Sequence, residues 1–252
     1  MTSNSVILVT AGSAGLGAAA SRLFARRGFK VVVNYSNNSA RADDLVAELN
    51  TADSHNDDVA KHMAIQADLS SRYEVERLAK EVHQKMGRID VVFSNVGWTR
   101  FRDTTQLDDN AFDEDWDLAY TFNVKSHLWL LNATKQYLAD TEGCFITTAS
   151  VAGLSGMGSS LAYSVSKAAQ IHLVRGLATM VGPNIRVNSI SPGLLETAWS
   201  ARFTEEQKEK HKAQTKLKRF ARLEDVAEQV FSLANNKSVT GVNIPIDSGF
   251  IL

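Results

Sequence analysis

Cysteine is almost absent from this 252-residue chain, where Cys144 stands alone. A lone thiol closes no internal disulfide and no Cys/His spacing forms a zinc site, so a disulfide scaffold and a metal module are excluded and a reducing compartment, the cytoplasm, is expected. Proline is nearly as scarce, three in all, and with 44% apolar and 22% charged residues the composition is that of a globular protein with a full core. Disorder and collagen-like repeats are excluded on that ground. A surplus of one charge is lacking too. Lys and Arg number 27 against 28 Asp and Glu, which leaves no net field to attract nucleic acid or an anionic membrane. Long apolar runs are missing: Val6 to Val9 is too short for a secretory core, and nothing approaches the roughly 20 residues of a membrane helix. The final Phe250-Ile251-Leu252 matches neither a peroxisomal nor an endoplasmic-reticulum retention signal.

What the chain does have is alternation. Short β-branched runs at Val6 to Thr10, Lys30 to Tyr35, His62 to Gln66, Ile89 to Asn95, Cys144 to Ala149, Ile185 to Ile190 and Val242 to Ile246 read as seven strands. Amphipathic stretches at Gly15 to Arg27, Ala40 to Leu49, Ser71 to Met86, Phe112 to Leu138, Ser160 to Val181 and Leu223 to Ala234 read as helices between them. Such a βαβ series predicts one α/β domain over residues 1–252, a doubly wound, mostly parallel sheet with helices on both faces. One segment, residues 195–222, departs from the pattern; from Lys208 onward it carries seven Lys or Arg. It reads as an insertion at the sheet edge, a helical lid over a site in preference to a solvated helix pair. A nucleic-acid patch ranks last because Glu205, Glu206 and Glu209 interrupt the basic run.

Directly after the first strand comes Thr10-Ala11-Gly12-Ser13-Ala14-Gly15-Leu16-Gly17, opening an Ala-rich helix. A small-residue turn between strand and helix lets backbone N–H groups and the positive helix end face a pyrophosphate, and Gly17 lets helix and strand pack closely. Gly12, Ser13, Gly15, Leu16 and Gly17 are therefore candidate dinucleotide contacts. The second strand ends Asn34-Tyr35-Ser36-Asn37-Asn38 with no acid before Asp43. A carboxylate there would grip a ribose 2′-hydroxyl and repel a 2′-phosphate. Its absence favours NADP over NAD, with Ser36 and Asn37 as donors and Arg41 within reach on the next helix, although no arginine stands at Ala14.

Tyr163 and Lys167 lie four residues apart, hence on one helical face about 6 Å apart along the axis. An ammonium favours the phenolate, so the lysine is expected to draw the tyrosine pKa down toward neutrality and fit it for proton transfer. Ser150 follows a strand at a carboxyl end, where open α/β sheets bind ligands, and its hydroxyl is placed to hold a substrate oxygen. A Ser-His-Asp hydrolase is disfavoured: no G-x-S-x-G elbow exists and none of the six histidines has a motif partner. His127 and His172 read as packed or solvated.

Taken together, these residues resemble the short-chain dehydrogenase/reductases over nearly the whole chain. Thr10 to Gly17 is similar to the family's T-G-x-x-x-G-x-G, departing at Ala11 where glycine is usual; Ser94-Asn95-Val96-Gly97 resembles N-N-A-G with two substitutions. Asp68-Leu69, Phe122-Asn123-Val124, Ile185-Arg186-Val187-Asn188, the Ser191-to-Thr197 loop (P-G-x-x-x-T) and Gly241 to Gly249 match further family segments. The resemblance implies a catalytic tetrad of Asn123, Ser150, Tyr163 and Lys167. It implies cofactor contacts from Asp68 to adenine, from Asn95, from Leu195 and Thr197 to the nicotinamide carboxamide, and from Tyr163 and Lys167 to the nicotinamide ribose. Asn123 would anchor a water that relays protons to Lys167. The implied activity is NADP(H)-dependent reduction of a ketone to a secondary alcohol, by a homodimer or homotetramer. Trp98, Phe101, Leu154, Met157, Trp199 and Phe203 fall where this fold lines its substrate cleft, which suggests a hydrophobic carbonyl substrate. The alternatives are a 3-oxoacyl-carrier reductase receiving an acidic carrier on the Lys208-to-Arg222 face, and a non-catalytic NADP-binding sensor or scaffold.

Overall fold

A computed structural model describes residues 4–52, 62–156, 158–197 and 200–252; Met157 and Trp199, named above as cleft residues, lie outside them. Seven strands form one sheet: β1 (Val6–Val9), β2 (Lys30–Tyr35), β3 (Met63–Gln66), β4 (Val91–Ser94), β5 (Cys144–Thr148), β6 (Arg186–Pro192) and β7 (Asn243–Ile246). Their order is β3-β2-β1-β4-β5-β6-β7, with every neighbouring pair parallel. The order reverses between β1 and β4, and the crevice above such a switch point is where these sheets bind ligands.

Strand side chains alternate between two cores. Ile7, Val9, Val31, Val33, Phe93 and Ile146 pack under α1 (Gly15–Arg26), α2 (Ser39–Ala52) and a C-terminal helix over Leu223–Asn235. Val6, Leu8, Val32, Val92, Phe145 and Val187 face the opposite side, against α3 (Arg72–Met86) and the helices over Ser126–Ala139 and Leu161–Val181. Both faces are thus covered, which is why β1, the middle of β2 and β4 read as continuous apolar runs. The chain has a Rossmann-like, doubly wound fold.

The stretch expected as one helix from Phe112 to Leu138 is divided. It comprises α4 (Asp113–Tyr120), a π turn over Thr121–Lys125 and α5 (Ser126–Ala139). The Ser126 N–H reaches back five residues to the Thr121 carbonyl, and the Ser126 hydroxyl donates to the Phe122 carbonyl at 2.6 Å. Neither Pro nor Gly marks this break; tertiary bonds to Asn123, described below, pull the turn wide, as π turns at sites do. A short α6 (Ala152–Ser155), not expected from sequence, precedes α7 (Leu161–Val181), whose start is capped by Ser160 accepting from the Tyr163 N–H at 3.2 Å. The 195–222 insertion leaves β6, one strand in from the edge and not at the edge itself. A parallel bridge between Leu195 and Ala221 closes its base. It holds a 3₁₀ turn over Ser200–Arg202 and α8 (Glu205–Gln214), which begins with a Thr204/Gln207 capping box. Then α9 (Leu223–Asn235) returns to β7.

Candidate active site

The carboxyl ends of β1, β4, β5 and β6 bring the sequence candidates to one crevice. At the end of β1 the Thr10 hydroxyl accepts from the backbone N–H groups of Asn95 at 2.9 Å and Val96 at 3.2 Å, tying the glycine turn to the β4 loop. Gly12 donates its N–H to the Asn34 carbonyl at 2.9 Å. A Cβ on Gly17 would stand 2.3 Å from the Ala11 carbonyl and 2.9 Å from the Gly12 Cα, so only glycine lets helix and turn meet. Ala11, standing where the family has glycine, takes φ +47°; the left-handed region costs an L-residue roughly 1–2 kcal/mol.

Ala14 precedes α1 with no side-chain cap. The first N–H groups of that helix are thus left to the crevice, together with its positive dipole end, a site suited to a pyrophosphate. This uncapped helix behind a turn of small residues is a cradle that fits a dinucleotide. Gly15 lies beside Thr197 of the insertion, the Thr197 Cγ2 standing 3.3 Å from where a Gly15 Cβ would be. At the far end of the crevice the exposed Ser36 and Asn37 bond each other through their side chains at 3.2 Å, and the Arg41 Nε donates to the Ser13 hydroxyl at 3.4 Å. The cation therefore sits over the turn, although no arginine is built into it. Asp68 accepts from the Ser70 N–H at 2.9 Å. The Asn95 side chain accepts from the Thr148 hydroxyl at 2.9 Å, bracing β4 against β5.

Deeper in, Asn123 is wholly buried. Its Oδ1 accepts from the Trp98 N–H at 2.8 Å, while its Nδ2 donates to the Trp98 carbonyl and the Ser166 hydroxyl, both at 2.9 Å. One side chain thus joins the β4 loop, the π turn and α7. Lys167 is 3% exposed, and its Nζ donates to the Thr148 carbonyl at 2.7 Å and to Gln170 Oε1 at 2.9 Å. Burial lowers its pKa to about 7. Its Nζ stands 5.8 Å from the centroid of the Tyr163 ring, and the Tyr163 hydroxyl is hydrogen-bonded to Ser150.

Sequence reasoning expected Lys167 to depress the tyrosine. In the chain alone, burial pushes the Tyr163 phenol above its ordinary value and only the Ser150 hydrogen bond opposes this. The reason is that the same burial deprives Lys167 of much of its charge near neutral pH. Gln170 had no motif to announce it and was missed.

Of the six cleft candidates, Phe101 and Phe203 meet edge-to-face at 5.1 Å, linking the β4 loop to the insertion, and Trp98 is fixed through its backbone by Asn123. Leu154 instead lines a groove of about 580 Å³ with Gln214, Lys216 and Phe250. His127 is buried with Nδ1 2.7 Å from the Ser94 hydroxyl, its pKa held well below 6.5 by burial and by Lys167; His172 is exposed. Among the described residues no cluster of three metal-ligating side chains exists, and no helix is long and apolar enough to cross a membrane.

A family model described as enoyl-(acyl carrier protein) reductase matches residues 10–251. The chain belongs to the short-chain dehydrogenase/reductase family. It is 30% identical to meso-2,3-butanediol dehydrogenase of Serratia marcescens over 98% of this chain and 94% of that one. To the 3-oxoacyl-[acyl-carrier-protein] reductase of Thermotoga maritima it is again 30% identical, over 98% of both. A short-chain dehydrogenase of Burkholderia cenocepacia, solved with NADP, superposes with TM-score 0.88 at 27% identity, covering 99% of this chain and 98% of its own. Members of this short-chain dehydrogenase/reductase family are oxidoreductases acting on C=O or CH–OH groups with NAD(P).

Proposed function

We propose that this short-chain dehydrogenase/reductase is an NADP(H)-dependent reductase of hydrophobic ketones, with Asn123, Ser150, Tyr163 and Lys167 as its catalytic residues. The observation that carries the reading is the pair of hydroxyls, Ser150 and Tyr163, bonded to each other beside a buried lysine. When bound, the nicotinamide cofactor supplies the hydride that adds to the carbonyl carbon. Gly12, Ser13, Gly15, Leu16 and Gly17 would hold its pyrophosphate, Ser36, Asn37 and Asp68 its adenosine end, and Asn95, Leu195 and Thr197 its nicotinamide end. Ser150 and Tyr163 would then donate to the substrate oxygen in place of each other, and Tyr163 gives up its proton as that oxygen gains charge. A phenol kept protonated by burial is suited to the acid role, hence to reduction. Lys167 would hold the ribose and supply positive charge, and Asn123 locks the β4 loop to the π turn and α7.

Arg41 beside Ser13, with no acid at the end of β2, supports NADP over NAD. The experiment is a ketone panel run with NADPH and with NADH. NADPH should give the higher kcat/KM, and Arg41→Ala should cut that value about tenfold for NADPH, the worth of one charge-assisted contact, while leaving NADH unchanged. Equal loss with both cofactors would remove Arg41 from phosphate recognition. Phe101, Phe203 and Trp98 support an apolar pocket under a lid formed by residues 195–222 of this single domain. Turnover of small polar carbonyls alone would count against it.

A second reading, reduction of a carrier-bound 3-oxoacyl group, is favoured by the Thermotoga relative's name. The basic face it needs is partly neutralised, since Lys208 pairs with Glu205 and Lys212 with Glu209, each at 2.7 Å. A sensor without turnover would have no use for a tyrosine bonded to Ser150 beside the buried Lys167. The reading further takes the protein to be a cytoplasmic homo-oligomer.

A further inference from the structure

Gln170 stands one turn beyond Lys167 on α7 and is 0% exposed. Its Oε1 accepts from the Lys167 Nζ at 2.9 Å, and its Nε2 donates at 3.2 Å to the Thr148 carbonyl, which also accepts from Lys167 at 2.7 Å. The three groups close a triangle at the end of β5. The amide has one workable orientation: turned over, its NH₂ would face the ammonium and its oxygen the carbonyl. Two of the three ammonium hydrogens are thereby committed, and one remains for the crevice.

The titratable groups near this ammonium are few. Tyr163 lies on α7 itself, and His127, on α5, is buried and neutral at working pH. From β5 comes the Thr148 carbonyl, and from the π turn the uncharged Asn123, whose Oδ1 and the Lys167 Nζ lie 3.4 and 3.5 Å from where a Gly97 Cβ would stand. Among the described residues no carboxylate comes within ion-pair distance of Lys167. A buried cation is thus met by a neutral acceptor and not by an acid.

We propose that Gln170 is a positioning residue for the carbonyl chemistry assigned above: its side-chain oxygen holds the Lys167 ammonium charged and aimed beside Tyr163 without cancelling that charge. The proposal rests on that reading of the site. Hydrogen bonding to a charged form favours it. An apolar residue at 170 would leave the ammonium one acceptor in a dry pocket, where it sheds its proton. A glutamate would pair with it and cancel the field the phenol needs. If Gln170 only filled space, its replacement would leave the protonation of Lys167 untouched.

The test follows the Cε signal of Lys167 by NMR against pH in the full chain labelled with ¹³C-lysine, the signal being identified by its loss in Lys167→Met. In Gln170→Leu and Gln170→Asn the proton affinity of Lys167 should fall about tenfold or more, one pH unit in midpoint. The pH above which ketone reduction declines should fall with it, while KM for the ketone holds. A midpoint that stays put in either folded variant overturns the proposal, as does one that moves while the rate profile stays. Gln170→Asn keeps an amide in the pocket but is one methylene short of the lysine, and it decides the matter should the leucine variant not fold. Failure of the activity reading is recognised separately, by an unaltered chain that reduces no carbonyl whatever its lysine titration.

Discussion

Lys167 is placed where a lysine is costly to keep charged. Its pKa falls from 10.5 to about 7 because the fold strips water from it. Between those two pH values the unfolded chain binds a proton that the folded chain does not, so this group makes stability rise with pH across that interval and imposes its full penalty below it. The stability of the unaltered chain relative to Lys167→Met should therefore increase as pH climbs from 7 toward 10.5, and be lowest and flat below 7. Chemical denaturation at pH 6, 8 and 10 reads this directly, and a difference that is constant over the range would show that the lysine is not buried as described. A function that needs the cation accounts for why the fold tolerates it. The Tyr163-Lys167 spacing was legible in the sequence because four residues make one helical face. The sign of the tyrosine shift was not, because burial depends on every element packed around α7. Gln170 was illegible for the same reason: a glutamine on a helix reads as a solvated residue until the packing encloses it.

At the scale of elements, β1, β2 and β4 were readable because each centres on a buried apolar run, whereas β6, Arg186–Pro192, was readable from Val187 and Ile190 set among polar residues and from its place in the βαβ series. The broken helix between α4 and α5 was not readable, since its cause lies in Trp98 and Ser166, distant in sequence from Asn123. The short α6 is another element set by tertiary packing. Its Gly153 rests on the backbone of α7: an added Cβ would stand 2.6 Å from the Lys167 carbonyl carbon and 2.7 Å from the Ala168 nitrogen. Backbone cannot step aside as a side chain can. Gly153→Ala should push α6 off α7, cost about 1–3 kcal/mol as overpacking does, and lower kcat through the shift of Ser150 relative to Tyr163. Thermal melting with steady-state rates checks this, and an alanine variant with unaltered melting and kcat would place the two helices farther apart than described.

Over the whole molecule, the sheet order and the carboxyl-end crevice follow from the βαβ series, and the chain's charge balance agrees with a small-molecule enzyme better than with a polyanion binder. Exposed apolar side chains lie on several elements, among them Tyr73, Leu107, Leu154, Leu217, Val242 and Leu252, and five more lie on or beside α4, α5 and α7. Phe112 and Tyr120 flank α4, Leu128 lies on α5, and Leu161 and Met180 on α7, each at least 36% exposed. The homo-oligomer proposed above would use the exposed side chains of α4, α5 and α7 as its association face. Light scattering after size-exclusion chromatography should give a dimer or tetramer mass, reduced by Leu128→Asp; a monomer at micromolar concentration would remove the oligomer from the account. Chemistry at the crevice does not depend on that outcome.

The most direct measurement of the central claim compares the unaltered chain with Tyr163→Phe, each supplied with NADPH and a hydrophobic ketone that the unaltered chain reduces. Removal of the hydroxyl proposed to give the proton should leave NADPH binding intact and lower kcat by about 10²-fold or more. Undiminished turnover in Tyr163→Phe would contradict the assignment of that phenol as the acid, and with it the mechanism built on the Ser150, Tyr163 and Lys167 geometry.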